Sequence, residues 1–194
     1  FGVFCHDFGK ALTPKEQLPR HPLHGPKGVP LVERMCGRLR IPNEYRDFAR
    51  IVCANHSLVH RFIRRSRASS ALRVFMAIDA FRHPERVAML AKAAATDYHG
   101  RLGFENLPYQ PADYMLDMFE AVRKVSPADI IRAGAKGIQI KERLARHRMR
   151  ALVLARREWF ATHEIIPEKG GGWSRAQRAL EPLREREPDT PLAH

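Results

Sequence analysis

His6, Asp7 and Lys10 place an imidazole, a carboxylate and an ammonium within one helical turn of the chain. An imidazole nitrogen and a carboxylate oxygen are the ligand types that hold zinc, nickel, manganese or iron at hydrolytic sites. Lys10 falls at i+3 from Asp7 and i+4 from His6, so its ammonium can share their face and offset the charge of a phosphate. With ten His and eight Asp in 194 residues, about 0.4 adjacent His-Asp pairs are expected by chance, so the dipeptide carries little by itself. Its setting adds weight: Phe1-Gly2-Val3-Phe4-Cys5 leads into it, and a His and an Asp on an apolar segment are costly to bury unless something such as a metal satisfies them. A surface ion pair between Asp7 and Lys10 is the plainer alternative.

Further histidines and carboxylates could complete such a site. His21 and His24 lie in a stretch rich in proline, Leu18-Pro19-Arg20-His21-Pro22-Leu23-His24-Gly25-Pro26, which reads as a loop able to close over a metal or simply as a polar loop. For His24 the two readings are balanced, because Gly25 lets backbone approach closely; for His21 ordinary loop polarity leads. His56 sits on the inward face of its helix, where a satisfied core histidine is the usual explanation. Asp79 and Asp97 fall at inward or helix-ending positions and read either as functional groups or as caps.

These residues require helices to hold them, and nearly every periodic stretch of the chain is helical, with no sustained alternation of the kind a half-buried strand needs. The expected fold class is all-α. A helix running into His6-Asp7 opens the chain; because it starts apolar and without methionine, it reads as continuing a helix that begins upstream. Val29, Val32, Met35, Cys36 and Leu39 mark a second helix starting after Pro26, and Tyr45, Phe48, Ala49, Val52, Cys53, His56 and Val59 a third starting at Pro42-Asn43. Ser69-Ser70 is expected to cap a helix carrying Leu72, Phe75, Met76, Asp79 and Ala80, and His83-Pro84 to open one that Gly100 and Gly103 end. Beyond these come helices over about 112–125, from Ser126-Pro127, and from about Ile138 to Phe160. The last is strongly basic, with Arg143, Arg146, His147, Arg148, Arg150, Arg156 and Arg157. Gly170-Gly171-Gly172 and the late prolines predict a flexible tail over 164–194.

Composition sets the partners. The formal net charge is +13, which implies a polyanion, with nucleic acid favoured over an anionic membrane surface. No apolar run is long enough to span a bilayer, so a cytoplasmic location and no membrane partner are expected. Cys5, Cys36 and Cys53 are odd in number and lack C-x-x-C spacing, and read as small core residues. The basic helix is either a track for a phosphate backbone or a solvated face.

Cys5-His6-Asp7-Phe8-Gly9-Lys10-Ala11-Leu12-Thr13-Pro14-Lys15, with His21-Pro22-Leu23-His24-Gly25 after it, resembles the HD phosphohydrolase domain of bacterial multifunctional CCA proteins, the tRNA nucleotidyltransferases that build or repair the 3′ CCA end. The resemblance continues through the segments 40–44, 78–81 and Asp97-Tyr98-His99-Gly100-Arg101-Leu102-Gly103-Phe104-Glu105, and through 133–144 with its Lys136-Gly137-Ile138 block. It covers roughly residues 1–160. The resemblance implies an HD-domain helical bundle over 1–106 followed by a basic helical tRNA-binding region over 107–163. It implies that His6 and Asp7 are metal ligands and that His56 occupies a second family position. With the chemistry of the residues read above, the expected sets are metal ligation by His6, Asp7, His24 and His56, catalysis by His6, Asp7 and Lys10, and phosphate or RNA contacts by Lys10, Arg101, Arg143, Arg146 and Arg150, with Asp79 and Asp97 as further candidates. The activities implied are those of a metal-dependent 2′,3′-cyclic phosphodiesterase, 2′-nucleotidase and phosphatase, with nickel or magnesium, or manganese, as the ion. tRNA and nucleotide phosphate esters are the implied partners, and a homodimer is left open.

Two departures bear on this. Ser57 stands where the family's second aspartate is expected, and a hydroxyl is a poor ligand beside a carboxylate. The family's upstream histidine and its nucleotidyltransferase head, the part that uses ATP and CTP, have no counterpart in these residues, so CCA addition is expected of a longer parent. A degenerate domain that only binds tRNA or dimerises, and a stand-alone HD nucleotidase acting on free nucleotides, are the competing readings.

Overall fold

The computed structural model describes residues 1–65 and 67–166, and among these the chain is all-α, with no strand. The helices are α1 (Gly2–Cys5), α2 (His24–Arg38), α3 (Asn43–Val59), α4 (Phe62–Arg65), α5 (Ala68–Ala77), α6 (Glu85–His99), α7 (Gln110–Arg123), α8 (Pro127–Arg132) and α9 (Ile138–Thr162). Two 3₁₀ turns, Phe8–Leu12 and Lys15–Gln17, join α1 to α2. Most of the tail expected over 164–194 lies outside the described residues. Within it, Glu164 and Ile166 are tied to α7, because the Gln110 amide donates to the Glu164 carbonyl and accepts from the Ile166 N–H.

Periodicity explains the packing. On α3, Ala49, Val52, Cys53, His56 and Val59 are buried, a spacing that keeps one face turned inward. That face meets α1, α2 and α6, while α7 packs on α6 and α9 packs on α5, α7 and α8. A small apolar cluster of Cys5, Val32, Cys36, Ala49 and Cys53 fills the space between α1, α2 and α3. The main core runs from Val52 on α3 through Leu90 and Met118 to Leu152 and Trp159 on α9, crossing residue 106 without a break. Among the described residues no helix is long and apolar enough to cross a membrane.

Several local expectations change. Helix α2 starts at His24 and contains both Pro26 and Pro30, whereas the proline-rich stretch reads as a loop through Pro26. Proline fits the first turn because the N–H it lacks would have no acceptor there. The N-cap of α5 is Arg67, with no side-chain capping bond, instead of Ser69 or Ser70. Met76 is exposed, and Asp79 lies beyond the helix in a left-handed conformation. Arg148, grouped by sequence with the basic face of α9, turns onto Phe81 with its guanidinium 3.4 Å from the ring centroid, and the loss of solvent lowers its pKa. Helix α8 opens at Ser126-Pro127 as expected, with the Ser126 hydroxyl accepting from the Ala128 N–H.

Close approach at the start of α2 depends on three glycines. A Cβ at Gly9 would fall on the His24 carbonyl oxygen, at Gly25 it would lie 2.6 Å from the Cys53 carbonyl oxygen, and at Gly28 2.7 Å from both Cys53 Sγ and the Gly9 nitrogen. Gly37, on the same helix, has open space around it. Gly9→Ala is therefore expected to destabilise the protein by about 1–3 kcal/mol through overpacking against backbone. Gly37→Ala should stabilise it by about 0.5–1 kcal/mol through helix propensity. Urea denaturation of the two variants checks this pair, and equal stabilities would contradict the close packing.

Candidate metal centre

The His6-Asp7 pair sits where α1 ends, not in the middle of a helix. His6 is the C-cap of α1 and Asp7 the N-cap of the following 3₁₀ turn. Lys10 belongs to that turn, and its ammonium donates to Asp7 Oδ2 at 2.5 Å, so the plain ion pair is present as well. His24 is delivered as the first residue of α2 after Leu23 takes a left-handed conformation, so it is held by a helix and not by a mobile loop. His56 comes from the buried face of α3.

Each of the three imidazoles is oriented by the backbone. Nδ1 of His6 contacts the Val3 carbonyl, Nδ1 of His24 the His21 carbonyl at 2.8 Å, and Nδ1 of His56 the Val52 and Cys53 carbonyls at 3.2 Å. Carbonyls only accept, so each Nδ1 carries the proton and each Nε2 points onward. Those Nε2 atoms converge on Asp7. His6 Nε2 is 3.1 Å from Asp7 Oδ2, while Asp7 Oδ1 lies 3.2 Å from His24 Nε2 and 3.7 Å from His56 Nε2. The two Nε2 atoms of His24 and His56 are 3.1 Å apart. His6, Asp7 and His56 can each present a ligand atom, all within 4.8 Å of one another.

This donor set fits a divalent cation. Two atoms bound to one ion at about 2.1 Å, at angles between octahedral and tetrahedral, lie about 3.0–3.4 Å apart. Asp7 Oδ1 is buried and makes no hydrogen bond among the described residues. The Nε2 atoms of His24 and His56 also face each other beside that oxygen. The Ser57 hydroxyl, 3.1 Å from His56 Nε2 and 3.3 Å from His24 Nε2, can donate to one of them and not to both.

Electrostatics follow the same geometry. The carboxylates of Asp7 and Asp97 push the His6 pKa up to about 10 against the opposing effect of burial. His56 is pushed down to about 4, first by burial and then by the neighbouring His6 and His24. Burial raises the Asp7 and Asp97 carboxyls, but their hydrogen bonds prevail and hold both well below the usual range, through His6 and Lys10 for Asp7 and through His6 and His60 for Asp97.

Asp97 joins this group. Its Oδ1 is 3.4 Å from His6 Nε2 and its Oδ2 is 2.7 Å from His60 Nε2. Arg101 lies beside it, 3.4 Å from Oδ2 and exposed. Asp79 is engaged elsewhere, by Arg82 at 2.6 Å and by His83 and Arg86. His21 bonds Thr13 through Nδ1 and stands outside the converging nitrogens. Arg143, Arg146 and Arg150 are exposed along α9. Sequence reasoning missed His60 and Tyr109. The first was legible as i+4 from His56 on the same helix; the second had no local signal. No protein-family model matches the chain, and no solved structure matches it.

Because His56 takes up a proton less readily when folded than at its ordinary pKa of 6.5, the folded state binds fewer protons between pH 6.5 and 4. Its contribution to stability is full above pH 6.5 and is lost as pH falls towards 4. His6 has the opposite sign: its contribution is full below pH 6.5 and is lost as pH rises through about 10. The melting temperature of the chain in EDTA should fall from pH 6.5 to pH 4, and His56→Gln should flatten that limb. A parent curve that is flat over this window contradicts a neutral buried His56.

Proposed function

We propose that this cluster is the metal site of an HD-type phosphohydrolase acting on phosphate esters at RNA 3′ ends, with 2′,3′-cyclic phosphodiesters, 2′-nucleotides and phosphate monoesters as substrates. The observation that carries the reading is Asp7 Oδ1, a buried carboxylate oxygen without a hydrogen bond among the described residues, facing the Nε2 atoms of two imidazoles whose Nδ1 atoms donate to backbone carbonyls. The residues that would hold the ion are His6, Asp7, His24 and His56, with Asp97 Oδ1 beside His6. When bound, a divalent cation supplies Lewis acidity towards a phosphoryl oxygen and lowers the pKa of a bound water. The donor chemistry suits nickel or manganese better than magnesium, since imidazole is a borderline ligand and magnesium prefers oxygen.

The remaining roles belong to the chain's own side chains. His6 gives up its Nε2 proton when that nitrogen ligates, so ion binding competes with protons. Lys10, half-exposed beside Asp7 Oδ2, can turn its ammonium to a substrate phosphate and offset its charge. Arg101, exposed and held by Asp97, can orient a phosphate from the other side. Arg143, Arg146 and Arg150, spaced three and four residues apart on α9, form a strip suited to phosphate-backbone contacts. The net charge of +13 favours the same partner. A role in tRNA 3′-end CCA addition and repair by a CCA-adding nucleotidyltransferase belongs to this proposal. Ser57 supports a second reading, a tRNA-binding or dimerising module without hydrolysis, because it places a neutral hydroxyl against His24 and His56.

Hydrolysis of 2′,3′-cyclic AMP with nickel, manganese or magnesium decides between them. Activity is expected with nickel, and both His6→Ala and Asp7→Ala should lower it by at least about a hundredfold. Turnover no higher than a no-enzyme control, together with retained tRNA binding, favours the binding module. For the RNA strip, replacing Arg143, Arg146 and Arg150 together with Ala should reduce the slope of log affinity against log salt by up to about 3, at about 0.9 for each phosphate no longer neutralised. An unchanged slope would remove these residues from the interface.

A further inference from the structure

Asp97 reaches the centre from α6 with its two oxygens facing different neighbours. Oδ1 faces His6 Nε2 at 3.4 Å, and Oδ2 faces His60 Nε2 at 2.7 Å. Behind it, His60 Nδ1 lies 2.7 Å from the Tyr109 hydroxyl. An ionised carboxylate only accepts, so His60 donates from Nε2. Its Nδ1 and the Tyr109 hydroxyl are paired with each other, which ties Tyr109 into the same chain of contacts. The three residues come from different elements: His60 caps α3, Asp97 lies in the last turn of α6, and Tyr109 caps α7.

The geometry points to His60 and Tyr109 as positioning residues that fix the Asp97 carboxylate with Oδ1 turned towards His6, a role that rests on the metal-centre reading above. A carboxylate is otherwise free to swing about its terminal torsion, which has broad and shallow wells. A 2.7 Å bond from His60 removes that freedom, and the Tyr109 hydroxyl removes the corresponding freedom of the His60 ring. Groups one step behind a metal ligand orient it and raise its basicity in this way. Tyr109 is held independently of its hydroxyl, because its ring packs on Tyr98 at 4.7 Å between centroids and is buried. Its oxygen can therefore be removed with the ring left in place.

The test is calorimetric titration of the full 194-residue chain with nickel, comparing the parent with Tyr109→Phe, His60→Ala and His60→Gln. The dissociation constant should rise about tenfold for Tyr109→Phe and up to about a hundredfold for His60→Ala. His60→Gln, whose amide can donate to Asp97, should recover part of the loss. Far-UV circular dichroism and melting in EDTA report the fold, and if His60→Ala unfolds, Tyr109→Phe carries the test by itself. In the metal-free chain, long-range ¹H–¹⁵N spectra should show a protonated His60 Nε2, with the Nδ1 resonance moving in Tyr109→Phe. Dissociation constants equal to the parent's in folded variants overturn the positioning role and leave the metal centre standing. No nickel binding by the parent overturns the centre, and the positioning role with it.

Discussion

The Asp7 carboxylate imposes the constraint from which the rest of this site follows. One of its oxygens is buried and makes no hydrogen bond among the described residues, and leaving a buried acceptor in that condition costs about 1–3 kcal/mol, more for a charged group. Lys10 and His6 meet the other oxygen and keep the carboxyl ionised, but neither is bonded to the buried one. Three imidazoles are brought to the same carboxylate with their Nδ1 protons already given to backbone carbonyls. A donor set of this kind is well suited to a cation.

Bringing those donors together depends on close backbone packing. Gly9, Gly25 and Gly28 let the 3₁₀ turn, α2 and α3 approach more closely than a Cβ would permit. His24 therefore begins a helix seated directly on the turn that carries Asp7. Cys53, one turn before His56, extends the same contact by donating from Sγ to the Gly25 carbonyl. Its thiol, like that of Cys5, is pushed up to about 11 by burial, so both act as packing groups and not as nucleophiles. Pro26 is accommodated because it falls in the opening turn of α2, where no helix bond is lost.

The other half of the bundle separates inward anchors from outward charge. Helix α9 docks through Leu152 and Trp159, with the Trp159 indole N–H donating to Asp117 on α7. Arg148 joins the inner side by lying over Phe81, an arrangement in which a desolvated cation is attracted to the ring face. Arg143, Arg146 and Arg150 stay on the outer side, exposed. One helix thus supplies core contacts and a basic surface together, and the continuous core joins it to the helices that carry the histidines.

Helical periodicity made the all-α class and most helices legible in the sequence, because the spacing of apolar residues on α3, α6 and α9 depends only on the geometry of a helix. His6, Asp7, His24 and His56 could also be named as candidates from residue type and setting. Asp79 and Asp97 looked alike, each a carboxylate at the end of a helix, yet one is claimed by neighbouring arginines and the other reaches His6 and His60. His60 and Tyr109 carried no sign of their pairing, since they meet across 49 residues. Local chemistry and period are written in the order of residues. Which side chains converge on one carboxylate is decided by how α1, α2, α3 and α6 cross, and that depends on contacts between segments far apart in the chain.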